Sequence, residues 1–365
     1  MANILDYLYW RGDLGFETLK FNEVDSLVLC ALSYLPLDNI VASDFYAPSV
    51  TIAKAAGQLL AKKDGAHGLD ASQRRLLELL AQSRRFGVLY LSGFVNQVDA
   101  AAEKQFCATT ILLDSDEAYV AFRGTDNTLV GWKEDFNMAY ITPVPAQAEA
   151  VRYLERACLE TGSALYTGGH SKGGNLAVYA ATYCKKSVQD RILAVYNNDG
   201  PGFLTPVLLS EPYKRVRSRV NTYVPQSSVV GMLLDHEEDY DVVHSTQTGL
   251  MQHDLYSWET TPDSFVLLDS VDESSKKIDR TLKSWIAGLS LKEREIFVDV
   301  LFQILSATGA KTLSELTDGW LNQAGRFLRY AKNMDASIGE HLAQLISLLA
   351  SSAKGEVSAL KNNGV

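Results

Sequence analysis

The sequence predicts an α/β fold with a mainly parallel central sheet, followed by a helical region. Three observations predict it. Short β-rich runs alternate with helical periodicity through the middle of the chain, as βα units do. A glycine-rich tract, Thr167-Gly-Gly-His-Ser-Lys-Gly-Gly-Asn175, stands between one such run and an alanine-rich helix. Beyond Pro262 there is no proline, and apolar residues recur there at helical spacing. The chain has 365 residues, 47% apolar and 21% charged. That composition is ordinary for a globular protein and excludes global disorder, collagen-like repeats and a disulfide scaffold.

The elements follow in order. Asn22 to Leu35 reads as a buried helix, and Asp70 to Ser83 as a helix capped by its aspartate, with Leu76, Leu77, Leu79 and Leu80 on one face. From about residue 86 the pattern changes. Gln105 to Leu113 and Ala118 to Phe122 are β-rich runs joined by a polar turn. A strand at Ala164–Thr167, a helix from Gly173 to Cys184 and a strand at Ile192–Tyr196 come next. Further strands are expected at Arg219–Val224, Tyr240–Ser245 and Phe265–Leu268. The division expected is a body over residues 1–270 and a helical region over 271–365. In the latter, Ser290-x-x-Glu293 and Thr312-x-x-Glu315 are capping boxes. They precede apolar stripes through Ile296, Val300 and Ile304 and through Leu316, Trp320 and Phe327, and a third runs through Ile338, Leu342 and Leu349. Such amphipathic helices are expected to pack on the body or on a second copy of the chain, giving a homo-oligomer. Their polar faces lack the Lys and Arg enrichment of membrane-surface helices.

The formal net charge is −10, which argues against a nucleic-acid-binding surface. Cys30, Cys107, Cys158 and Cys184 stand in apolar or helical stretches without CxxC spacing, so a reducing compartment is the simpler reading. Asp6, Arg11 and Asp13 interrupt the N-terminus where a signal peptide needs an apolar run. No stretch reaches the ~18 apolar residues of a membrane span. A cytoplasmic protein with no transmembrane segment is expected. There is no HExxH motif, no His pair at helical spacing and no Cys cluster, and no metal or other cofactor is expected.

Within the glycine-rich tract, Gly169-His170-Ser171-Lys172-Gly173 fits G-x-S-x-G in a strand–turn–helix setting, that of a nucleophile elbow. The turn is so sharp that flanking residues need to be glycine. The serine hydroxyl then projects above the sheet at a helix N-terminus, where backbone N–H groups stabilise a developing oxyanion. A serine nucleophile needs a base. Of the six histidines, His67 and His341 fall in a polar loop and a tail helix, His170 lies in the elbow with its ring expected to point away, and His236 flanks a strand. His253 and His244 remain, and His253 lies in a loop beyond the strand, in the chain order Ser then His. For the acid, Asp199 follows the first strand after the elbow helix, on the rim the serine occupies. Asp235, in an acidic run, is the alternative.

Two motifs carry a resemblance. Ala121-Phe-Arg-Gly-Thr125 ends a predicted strand and is followed by Trp132 and Asp135. Together with the GHSKGG elbow, this resembles the class 3, fungal-type lipases of the α/β-hydrolase superfamily, which carry FRGT or FRGS and GHSLGG. The segments DYLYWRGDLGF, NNDGPGF and GLMQHDLYSW make residues 1–270 similar also to a poorly characterised lipase-like domain family of Gram-positive bacteria. The first resemblance implies an α/β-hydrolase fold and an oxyanion site made by Thr125 and by the N–H of Lys172. It also implies a catalytic histidine at His253 and an acyl-ester substrate, either a small molecule or a lipid. DGPGF is similar to pancreatic-type lipases, whose acid follows that strand, at Asp199. The class 3 acid comes one strand later, where this chain has Pro225-Gln-Ser-Ser-Val-Val and no carboxylate. The reading is a serine esterase, and the departure at Pro225 keeps a catalytically silent scaffold with a helical interaction module as the alternative. Trp132, Phe136 and Met138, in the insert from Asp126 to Pro145, are expected to form a lid, an acyl-binding wall or core.

Overall fold

The computed structural model describes residues 1–61, 69–114, 116–126, 128–228, 230–272 and 289–306. Its N-terminal layer is helical: α1 (Ile4–Arg11), α2 (Glu23–Ser33), α3 (Ile52–Ala61) and α4 (Ala71–Gln82), with the short strand β1 (Val50–Thr51) before α3. Asn3, Asn22 and Asp70 cap α1, α2 and α4, each side chain accepting from a backbone N–H of the first turn. An antiparallel meander follows, β2 (Tyr90–Asp99), β3 (Lys104–Leu112) and β4 (Glu117–Phe122). Then come α5 (Leu129–Asn137), α6 (Pro145–Thr161), β5 (Ala164–His170), α7 (Lys172–Tyr183), α8 (Lys186–Gln189) and β6 (Ile192–Asn198). The body closes with α9 (Thr205–Leu208), α10 (Glu211–Val216), β7 (Val220–Pro225), β8 (Tyr240–Val243) and β9 (Leu267–Leu268), before α11 (Leu291–Ser306).

All nine strands form one sheet in sequence order. The centre, β4 to β8, is parallel as expected. Both flanks are antiparallel, so the sheet is mixed rather than mainly parallel. The connections decide this. The turns within β2–β3–β4 are too short for a crossover, whereas the parallel strands β4, β5, β6 and β7 are joined through helices.

Side-chain alternation along the strands builds two cores. Phe106, Ala108, Val120, Phe122, Leu165 and Val195 meet α6, α7, α9 and α10 on one face. Cys107, Ile111, Tyr119, Ala121 and Tyr196 meet α1 to α4 on the other. Arg85 ties the N-terminal layer down. Its buried guanidinium reaches Asp25 at 2.5 Å and donates to the carbonyls of Leu14, Leu19 and Lys20. The four cysteines are free and buried.

Helix α6 and strand β2 are among the elements that the sequence reading does not predict, with α1, α3 and α5. The buried stripe of α6 mixes three alanines (Ala146, Ala150, Ala157) with Gln147, Tyr153, Leu154 and Cys158, so its apolar period is faint. Strand β2 contains Gly93 at φ +65° and a register shift between Ser92 and Val95, which break its alternation. In the helical region, the Ser290–Glu293 box forms at the start of α11. That helix lies on α5, with Phe302 against Phe136 at 5.7 Å between ring centroids and Asp299 3.0 Å from Lys133. The expected helices through Trp320 and Leu342 lie outside the described residues. No described helix is long and apolar enough to cross a membrane.

Candidate active site

Strand β5 ends at His170 and helix α7 starts at Lys172, so Ser171 alone makes the turn. It does so at φ 59°, ψ −135°, a conformation that opposes its own Cβ and persists only because the surroundings enforce it. Its N–H donates to the Asn198 carbonyl at 2.9 Å. The glycines around it have steric reasons. A Cβ on Gly169 would stand 2.1 Å from the Gly173 carbonyl carbon, and one on Gly173 would stand 2.1 Å from the Phe122 carbonyl oxygen. The elbow is therefore clamped between the helix it starts and the end of β4.

The FRGT segment lies against that clamp. A Cβ on Gly124 would meet the Ser171 Cβ at 3.0 Å and the Tyr34 hydroxyl at 2.2 Å, so the next residue, Thr125, is carried to the elbow. The Thr125 hydroxyl donates to Asp135 Oδ2 on α5. Burial pushes the Asp135 carboxyl up to about 6, against the opposing pull of Lys172 and of the Thr125 hydroxyl. Arg123 turns away, donating to Asn96 at 3.0 Å and pairing with Asp126 at 3.3 Å. Lys172 begins α7, and the first N–H groups of a helix have no partner within it.

The structure brings His253 and Asp199 together. His253 Nδ1 lies 2.6 Å from Asp199 Oδ2. A carboxylate only accepts, so Nδ1 carries a hydrogen, and in the neutral ring Nε2 then holds the lone pair. Asp199 is fully buried at the end of β6, and its Oδ1 accepts from the Ser228 hydroxyl at 2.5 Å and from the Gly231 N–H at 3.1 Å. Three donors on one carboxylate disperse its charge. Ser228 falls within the Pro225-Gln-Ser-Ser run, so the segment that carries no carboxylate of its own instead holds Asp199, from the end of the preceding strand.

His170 contributes to the same place from behind. Its ring lies 4.5 Å from that of His253 between centroids. Nε2 lies 2.7 Å from the His253 carbonyl and Nδ1 3.0 Å from the Tyr34 hydroxyl. The carbonyl requires a donor, so Nε2–H donates and Nδ1 accepts from Tyr34. Burial, with the nearby His253, holds its pKa well below the usual histidine range, consistent with a neutral ring.

The profile of the Mbeg1-like family matches residues 80–303, more than half of the chain. The chain belongs to the Mbeg1-like family. Two solved structures resemble this Mbeg1-like chain. One is the lipase of Rhizomucor miehei in its native propeptide complex, at 13% identity and a TM-score of 0.42, covering 70% of this chain and 74% of that one. The other is the M37 lipase, at 11% identity and a TM-score of 0.37, covering 59% and 70%. No curated protein matches.

The remaining sequence candidates fall elsewhere in this Mbeg1-like chain. His244 Nδ1 meets Glu259 at 2.6 Å, and Asp235 is an exposed residue whose backbone bridges Phe203. His236 is held by Glu238 and the Gly231 carbonyl. His67 and His341 lie outside the described residues. In the insert, Met138 is buried with Val144 and Leu234, and Phe136 is covered by Phe302, so these two are packing residues; Trp132 is half-buried. Among the described residues no group of three His, Cys, Asp or Glu is placed to hold a metal ion. Sequence reasoning missed Asn175, whose amide donates to the carbonyls of Pro201 and Gly202 at 3.0 and 2.9 Å and so ties the DGPG loop to α7. The signal was there: it is the one amide side chain of the helix, and it closes the GHSKGGN tract.

Proposed function

We propose that the chain is a serine esterase of the α/β-hydrolase fold, acting through an acyl-enzyme on Ser171, with the chemistry carried by residues 1–270. What carries the reading is the 2.6 Å contact of His253 Nδ1 with buried Asp199 beside a strained serine elbow. In this mechanism His253 Nε2 takes the Ser171 proton as Oγ attacks the ester carbonyl. Asp199 keeps the imidazole in the right tautomer and balances the imidazolium. The N–H groups of Thr125 and Lys172 hold the oxyanion. His253 then gives its proton to the leaving alcohol, and water, activated by the same nitrogen, hydrolyses the acyl-enzyme. The substrate is an acyl ester, a small molecule or a lipid.

Fluorophosphonate labelling tests it. The intact protein takes up one label, and Ser171→Ala takes up none. A wild type that stays unlabelled leaves the scaffold without catalysis. Turnover of p-nitrophenyl esters of graded acyl length then ranks the substrates.

A further inference from the structure

The residue after the nucleophile needs to offer only its backbone N–H, and the class 3 lipases carry leucine there. This chain has Lys172, and its ammonium is fully buried. Nζ donates to the Gln105 carbonyl at 2.9 Å, to Gln105 Oε1 at 2.7 Å and to Glu134 Oε2 at 3.1 Å, and it stands 3.8 Å from Asp135 Oδ1. Glu134, also fully buried, accepts further from the N–H groups of Gln105 at 2.9 Å and Ala146 at 2.8 Å. Strand β3 and helices α5, α6 and α7 thus converge on one cation.

Filling space does not call for this. Burying an ammonium carries a desolvation penalty, and an apolar side chain would occupy the same volume. The purpose lies in what the cation faces. Glu134 and Asp135 are adjacent carboxylates directly behind Thr125. Asp135 Oδ2 takes the Thr125 hydroxyl, whereas its Oδ1 is buried without a hydrogen bond among the described residues. Two uncompensated negative charges there would repel each other and would repel a developing oxyanion.

Resting on the hydrolase reading, we propose that the Lys172 ammonium is a positioning group for the oxyanion site. It keeps Asp135 as the carboxylate that accepts the Thr125 hydroxyl, and so fixes the strand end from which the Thr125 N–H is presented.

The rate of fluorophosphonate labelling of the full chain tests this without knowledge of the natural substrate. Removing one member of a buried pair destabilises more than removing both, so the variant is Glu134→Gln with Lys172→Met. It labels about tenfold more slowly than wild type, the scale of a misplaced catalytic group. Placed on Thr125→Val, the same pair of changes alters the rate less than twofold, because the group it acts through is already gone. Asp135→Asn, which leaves the lysine pair intact, reproduces the tenfold loss; should the charge-pair variant not unfold cooperatively, this variant decides. Independent, multiplicative effects would show a merely structural lysine and overturn the proposal. So would a folded charge-pair variant, or Asp135→Asn, that labels within twofold of wild type. Failure of the hydrolase reading looks different: Ser171→Ala takes up label, or wild type does not.

Discussion

Ser171, Asp199 and His170 each hold a state they would not adopt alone. Ser171 and Asp199 sit at positive φ, and His170 is a buried neutral imidazole. For the acid, the outcome expected is that Asp199→Asn lowers p-nitrophenyl ester turnover by about 10⁴-fold, while Asp235→Asn, an exposed position, leaves it unchanged. Equal losses in the two variants would contradict the contact between His253 and Asp199. For His170 the sign follows from linkage. The unfolded chain takes up a proton near pH 6.5, and the folded one does so only well below that. Its contribution to stability is therefore present above pH 6.5 and is lost as pH falls. Urea midpoints at pH 7 and pH 5 should drop further in wild type than in His170→Gln, and a parallel drop would sink this account. The elbow was legible in the sequence because strain there demands glycines at fixed offsets. Tyr34, Gln105 and Ser228 were not, since each acts through a contact made only when distant segments meet, and nothing local marks them.

Helix α7 carries the elbow's glycines in its first turn because it starts in contact with β4. A methyl on Gly173 would collide with the Phe122 carbonyl oxygen, a backbone atom that has no rotamer to escape into. Gly173→Ala is expected to cost about 3 kcal/mol, the upper end for overpacking, read from chemical denaturation; a loss under about 1 kcal/mol would mean that the two elements slide apart. Legibility differs between elements for a comparable reason. Strands β3, β4 and β6 are dense in β-branched and aromatic residues, and α2 and α4 have cap residues and apolar faces, so their local signals agree with their places. Helix α6 buries alanines, and β2 is bulged. Both are set by what they pack on rather than by their own pattern.

At the scale of the molecule, the sheet is covered twice, and the second cover lies mostly outside the family match. Helices α1 to α4 precede or barely reach residue 80, yet they close the face carrying Tyr119 and Tyr196, and Asp25 takes the buried charge of Arg85. A fragment starting at residue 80 would expose that face to water, and Arg85 with it, because Asp25 and the carbonyls of Leu14, Leu19 and Lys20 that hold the guanidinium would all be gone. It is expected to show no cooperative thermal transition by circular dichroism, whereas the whole chain shows one. A fragment that melts cooperatively would mean that the N-terminal layer is an accessory.

The contact of α11 with α5 has one more consequence. A gate built from α5 would have to leave Phe302 and Asp299 behind before it could swing, and Arg294 also reaches across to the Ala139 carbonyl at 2.9 Å. With these contacts in place, the expected outcome is that α5 does not hinge and that the approach to Ser171 keeps one width with or without a ligand. Hydrolysis of an ester that forms micelles should then climb smoothly through the critical concentration; a sudden jump there would reveal a moving door.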